Sequence, residues 1–372
     1  MPILPENFLT VASQRVADAL VEAPARTPHY VTEGAWTLVS TEQRSFWLPT
    51  GYDHGNWTSG FWAGMLVELE LLGAQPRRDQ ASGIARATAA RVDDGTTHDI
   101  GFMFEPSVCR LHELTGEAEW STLAERAADT LARRFRSSPG YLQAFGDLDD
   151  ERGYGTSTID TMMNLPLLWW VAEKCGRDDL AEIARRHADS SLRNIVRDNG
   201  STYHLIRYSE EGHVQEKGTF QGLGAESCWS RGQAWAIHGF ISAAVVTQDQ
   251  RYFEAAARCL RYFVERAPLE RLTPYDLEIT EGHCDASALA IVASALAEAA
   301  QDPGLSELLD AKNGVATAIT TLAREALFAD TAGLIGRSAY SIPHGLGVNG
   351  ALPYGDYYFL RALRMAGIEC PV

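Results

Sequence analysis

Two aspartates and a group of aromatic and cationic residues recur in short runs along the chain: Asp99 in HDIGF, Asp160 in IDTMMNL, Trp57 and Trp62 in NWTSGFW, Arg231 and Trp235 in WSRGQAW. Two carboxylates brought close repel each other, so one keeps its proton toward neutral pH and acts as an acid. A sugar ring has apolar faces and polar edges, which suits indole platforms beside Asp, His, Gln and Arg. Arg231 and His204 are the best cations for an anionic group on such a substrate. Each residue also has a plainer reading. Aspartate is a favoured helix N-cap, so Asp99 and Asp160 could each do no more than cap. Trp57, Trp62, Phe102, Trp229 and Trp235 could fill core, Arg231 could pair with Asp99 or Glu226, and His204 could be structural.

The elements that must position these residues alternate between two kinds of helical segment. One kind is amphipathic and rich in Ala, Arg and Glu, over residues 6–22, 78–92, 119–136, 179–195, 251–266 and 306–328. The other is apolar nearly all round, over 57–73, 100–116, 158–175, 228–247, 285–300 and 355–367. Six of each in strict order predict a closed ring of six helical hairpins, an all-α (α/α)6 barrel, as one catalytic domain over 1–372. Strand signals are weak, with STYHLIRY and the loops before it offering small hairpins. The long connections at 23–56, 137–157, 196–227 and 329–354 all lead into apolar helices, so they share one rim, where function usually sits. Consecutive inner helices are neighbours, which would bring Asp99 and Asp160 together.

Charge and cysteine usage narrow the class. A formal charge of −17 and a pI near 5.0 argue against nucleic acid or an anionic membrane as partner. The start, MPILPENFLTVASQRVADALVE, reads as helix rather than secretory signal, and no apolar run is long enough to cross a bilayer. A soluble, cytoplasmic protein is expected, with Cys109, Cys175, Cys228, Cys259, Cys284 and Cys370 as thiols. His283 and Cys284 are adjacent but have no second Cys/His group at a metal-like spacing.

WTSGFWAGML, HDIGFMF, IDTMMNLPLLWW, TFQG, WSRGQAW and GDYYFLRAL occur in an order and spacing that resembles the unsaturated glucuronyl hydrolases, glycoside hydrolase family 88. The resemblance spans most of the chain. It implies removal of a C4=C5 unsaturated uronic acid from the non-reducing end of lyase-made oligosaccharides, by hydration of the double bond and without metal or organic cofactor. It also implies that Asp160 protonates C4 and assists water at C5, and that Asp99 positions the uronate and tunes Asp160. Gln221, His98, His204 and Arg231 would hold hydroxyls and the carboxylate, with Trp57 and Trp235 stacking on sugar rings. The chain departs from the family's pattern at Arg136, where Asn is frequent, and at Phe145, in place of a Trp beside the neighbouring sugar. In the C-terminal loop, SIPHGLGV offers Ser341, His344 and Leu346 where relatives acting on sulfated fragments carry hydroxyl and Lys side chains. Other readings of the same residues are an inverting glycosidase on saturated glycosides, a non-catalytic carbohydrate-binding protein, and a sugar isomerase, which would call for paired histidines.

Overall fold

The computed structural model describes residues 4–49, 51–329 and 332–372. The helices are α1 (Phe8–Ala19), α2 (Ser59–Leu71), α3 (Arg78–Thr88), α4 (Ile100–Phe104), α5 (Arg110–Thr115), α6 (Ala118–Ala132) and α7 (Leu165–Cys175). They continue as α8 (Asp178–Asn194), α9 (Ser230–Thr247), α10 (Gln250–Arg266), α11 (Ala286–Ala299), α12 (Pro303–Leu308), α13 (Ala311–Glu325) and α14 (Pro353–Met365).

Burial separates the two kinds as the patterning implies. Helix α9 is buried from Ser230 through Ala244 and α2 from Ser59 through Leu69, so neither has a face for water. Helices α8 and α10 bury a single stripe, Leu180, Ala184 and Ala188 in one and Phe253, Ala256, Leu260 and Phe263 in the other. Helices α2, α4, α7, α9, α11 and α14 each pack on the next, and α14 returns to α2, closing an (α/α)6 barrel. Glu68 of α2, itself buried, pairs with Arg364 of α14 at 2.5 Å across that last seam. Two inner helices stop at glycines in the left-handed region, Gly116 (φ 72°) and Gly176 (φ 68°), which turn the chain straight into an outer helix.

The second inner helix is not continuous. A π-helical turn, Glu105–Cys109, separates α4 from α5. Pro106 lies inside it and has no N–H to donate, so the ordinary bond to Phe102 is missing and the register shifts. The third inner helix begins as a 3-10 turn, Ile159–Met163, before α7. The expected outer segment over 306–328 divides into α12 and α13.

The connections hold more strand than the sequence suggests. There are hairpins β1 (Arg26–Thr32) with β2 (Ala35–Ser40), β3 (Phe46–Leu48) with β4 (Gly51–Asp53), and β5 (Phe135–Arg136) with β6 (Tyr141–Leu142). A three-stranded sheet of β7 (Thr156–Thr158), β8 (Leu205–Tyr208) and β9 (Val214–Gly218) follows, then the hairpin β10 (Ser338–Ser341) with β11 (Leu346–Gly350). Thr50 and residues 330–331 of the long connections lie outside the described residues. These strands are two to seven residues long, too short for alternation to stand out, and packing on the barrel rim decides them.

Glycines set how closely the inner helices approach. A Cβ on Gly101 would fall on the backbone of Asn164, and one on Gly60 on the backbone of Met103. The Asn164 side chain then accepts from the Phe102 amide at 2.8 Å, pinning the entrances of the second and third inner helices to each other. Gly101→Ala is expected to cost about 1–3 kcal/mol of stability through overpacking. It should also lower activity by parting those entrances, as read by thermal melting and turnover on the same preparation.

Candidate active site

Both aspartates come to one cavity, of about 350 Å3, at the inner-helix entrances. Asp99 occupies the N-cap position of α4 but its side chain makes no capping bond. Its Oδ2 accepts from the Thr97 hydroxyl at 2.9 Å, its Oδ1 lies 3.3 Å from His98 Nε2, and His54 Nδ1 is 4.0 Å away. Asp160 sits in the 3-10 turn, with Oδ2 3.6 Å from His204 Nε2, and its Oδ1 is buried with no partner. A buried carboxylate oxygen without a donor is costly to a fold, so capping does not explain either residue.

A third aspartate at an inner-helix entrance does cap. Asp285 accepts from the Ser287 amide (3.2 Å) and hydroxyl (2.5 Å) at the start of α11. It is also the partner of Arg231, at 2.5 Å with both side chains at most 1% exposed. Arg231 therefore pairs with neither Asp99 nor Glu226. Its Nη1 also donates to the Ala339 carbonyl at 2.7 Å and its Nη2 to the Tyr340 carbonyl at 2.6 Å, while the guanidinium lies over Trp229 and Tyr354. It lines the cavity with its donors largely committed.

The remaining expected residues differ in where they stand. His98, Trp57, Gln221 and Trp235 line the cavity. Trp57 donates from Nε1 to the Tyr340 hydroxyl (3.0 Å) and stacks on Tyr354, Gln221 donates to the Tyr340 carbonyl (3.0 Å), and Trp235 packs on Phe102. His204 stands behind Asp160, its Nδ1 3.0 Å from the Thr219 hydroxyl and its ring against Trp229. Ser341 lines a second cavity, of about 1030 Å3, that continues outward, and its hydroxyl bonds His344 at 2.7 Å. Phe145 lines neither cavity. Its ring packs between Tyr52 and Phe220 and backs His54 and His98. Trp62 is core, donating to the Pro28 carbonyl at 2.7 Å.

Sequence reasoning missed His54, Tyr340 and Asp285. His54 and Tyr340, with Gln221, line both cavities and form the threshold between them. His54 stands two residues before the run NWTSGFW, and Tyr340 adjoins Ser341, so nearness to those positions was the available signal. A further cavity, of about 640 Å3, lies elsewhere in the barrel around the Arg361–Glu298 pair; it contains neither aspartate.

Electrostatics divide the carboxylates. Burial pushes Asp99 up to about 6, and the Asp160 charge adds to this against the pull of His54 and the Thr97 hydroxyl. Burial also acts to raise Asp160, but contact with His204, together with His98 and Arg231, outweighs it and holds the group below the usual carboxylate range. His98 is itself pushed down to about 3 by burial, so it adds no charge to that pull at neutral pH. In the free protein the carboxyl that keeps its proton longest is Asp99, and desolvation rather than like-charge repulsion is the main reason.

A raised folded-state pKa favours the folded protein while the group is protonated, and that contribution is lost as pH rises through the folded value. Asp99→Asn removes the penalty. The variant should match wild type near pH 4 and become more stable than it between pH 4 and 6, by on the order of 2–3 kcal/mol above pH 6. Melting temperatures across that range check this; a gap that does not change with pH would contradict it.

A closed ring of helical hairpins with two carboxylates in an aromatic chamber fits a barrel glycoside hydrolase. The family model for Glycosyl Hydrolase Family 88 matches residues 35–261. The unsaturated glucuronyl hydrolase of Bacillus sp. (strain GL1) is 33% identical over 332 residues, 84% of this chain and 86% of that protein. The unsaturated chondroitin disaccharide hydrolase of Streptococcus pneumoniae is 29% identical over 84% of this chain and 82% of its own length. The crystal structure of the Bacillus sp. GL1 enzyme, described as responsible for degradation of glycosaminoglycan, superposes with a TM-score of 0.85 at 30% identity, covering 98% of both chains. The chain belongs to glycosyl hydrolase family 88.

Proposed function

We propose that this hydrolase removes a C4=C5 unsaturated uronic acid from the non-reducing end of lyase-made oligosaccharides by hydrating the double bond. The observation that carries the reading is the unpartnered, buried Oδ1 of Asp160 in the same aromatic-lined chamber as Asp99. In the free protein Asp160 is held ionised, so it takes up its proton with the substrate. The uronate carboxylate adds a like charge that favours the protonated form, and Asp99 keeps a proton to about pH 6 in the same chamber.

The protonated Asp160 carboxyl transfers its proton to C4, and the positive charge left at C5 is shared with the ring oxygen. The resulting Asp160 carboxylate accepts a proton from water as the water oxygen bonds C5, giving a hemiketal. The bond from C5 to the ring oxygen then breaks to a ketone, leaving a hydroxyl on C1. Collapse of that hemiacetal forms an aldehyde and frees the neighbouring sugar as an alcohol. One water is consumed and the anomeric carbon is never attacked. Trp57 and Trp235 supply the apolar walls, Gln221, His98 and Arg231 line the chamber that receives the uronate's hydroxyls and carboxylate, and His204 acts through Asp160.

The chain acts in this reading as one catalytic unit on an unsaturated oligosaccharide, with no nucleic acid or membrane partner. No described helix is long and apolar enough to cross a membrane. A cytoplasmic setting fits its six free cysteines. The test is ultraviolet absorbance of the conjugated double bond during incubation with lyase-made disaccharides, beside their saturated counterparts. Loss of absorbance is expected with the first set and no cleavage of the second; the reverse would point to a conventional glycosidase.

A further inference from the structure

The cavity of about 640 Å3 around the Arg361–Glu298 pair lies at the far end of the barrel from the catalytic chamber. It is lined from the C-terminal halves of α7, α9, α11 and α14, whereas both aspartates stand at the inner-helix entrances. Trp235 lines the chamber and Tyr358 the far cavity, and their rings meet at 5.6 Å, so an aromatic pair divides the two spaces. The reaction proposed above uses none of the far cavity's residues.

Its chemistry differs from that of packed core. Arg361 donates from Nη2 to Glu298 and from Nη1 to the Ser294 hydroxyl, each at 2.7 Å, and Arg110 pairs with Glu105. The side chains of these two ion pairs are only 12–18% exposed. Burying them costs desolvation that apolar side chains of similar size avoid, so stability alone does not call for them. Arg110 Nε is buried with no hydrogen-bond partner, which leaves a donor for a guest. Glu105 opens the π-helical turn of the second inner helix, and such turns recur at functional sites. Trp169 and Trp170 add flat apolar walls beside these charges.

The pairing of charges selects the guest. An anion would meet Glu105 and Glu298, and a cation would meet Arg110 and Arg361, while His238, pushed down to about 3 by burial, stays neutral. A neutral polyhydroxylated molecule uses both kinds of partner, because a hydroxyl donates to carboxylate and accepts from guanidinium. Its apolar ring faces suit the indoles, and the volume falls within the range of about 300–1,000 Å3 usual for small-molecule sites. From this combination we propose that the far cavity is a second, non-catalytic binding site, and that it takes a neutral sugar.

Calorimetric titration of the full chain with D-glucose, D-galactose and L-rhamnose tests this, beside D-glucuronate, D-glucosamine and indole as anionic, cationic and apolar probes. Val246, 53% exposed, and Glu173, with its side chain 75% exposed, also line the cavity. Val246→Trp and Glu173→Trp should each fill its mouth without moving the melting temperature by more than a few degrees, since both positions face water. The quantity compared is the binding that these variants remove; binding they retain belongs to the catalytic chamber. At least one neutral hexose should bind the unmodified protein with a Kd on the order of 1 mM, be lost in both variants, and exceed the three comparison probes by about tenfold. Absence of neutral hexose binding, hexose binding retained by both variants, or a charged probe or indole losing more binding than the hexoses overturns the proposal.

Discussion

Asp160→Asn is expected to lower turnover of unsaturated disaccharides by about a thousandfold, the scale of losing a proton donor in the rate-limiting step. The substitution keeps the shape of the side chain, and Oδ1 makes no hydrogen bond that the amide could break. It does weaken the 3.6 Å contact to His204, while relieving the burial of a charge. Melting temperature should therefore stay within a few degrees of wild type, and substrate affinity should hold, because the neutral amide no longer repels a uronate carboxylate. Steady-state kinetics with direct binding measurements separate these effects. A variant that retained a tenth of wild-type turnover would remove Asp160 from the chemistry.

Asp285→Ala is expected to have the largest effect on stability. It strands Arg231, 1% exposed, as an unpaired buried cation, and breaking such a pair from one side costs about 3–5 kcal/mol. For a chain of this size that is about 4–6 °C in melting temperature. Arg231 also binds the Ala339 and Tyr340 carbonyls, and Gln221 donates to the Tyr340 carbonyl. Activity should fall as well, because the threshold between the two cavities loses its anchor. Glu119→Ala provides the contrast. It breaks the Arg86 pair, whose side chains are 55% and 44% exposed, and should leave the melting temperature unchanged, since water screens such pairs.

Arg231 shows where legibility stopped. Its type and its place in WSRGQAW marked it as a buried cation near the pocket, and a partner was expected. Asp285 was not foreseen as that partner because 54 residues and a further hairpin separate the two, so no local pattern links them. The same holds for the caps. Asp99, Asp160 and Asp285 all precede or open inner helices, and an N-cap preference applies equally to each. Only Asp285 caps, because the amide and hydroxyl of Ser287 are within its reach, whereas Asp99 is drawn to Thr97 and Asp160 faces the chamber.

The ring of alternating helices was readable in residue order, since a helix exposed on one face and a helix buried all round differ in patterns only a few residues long. The meeting of Asp99 and Asp160 followed from it, because neighbours in the chain are neighbours in the ring. What only the tertiary structure decided was which carboxyl holds its proton, which arginine donors are committed, and that His54 and Tyr340 divide the two cavities. Desolvation and hydrogen-bond partners depend on every group packed within a few ångströms, and those groups come from all around the barrel.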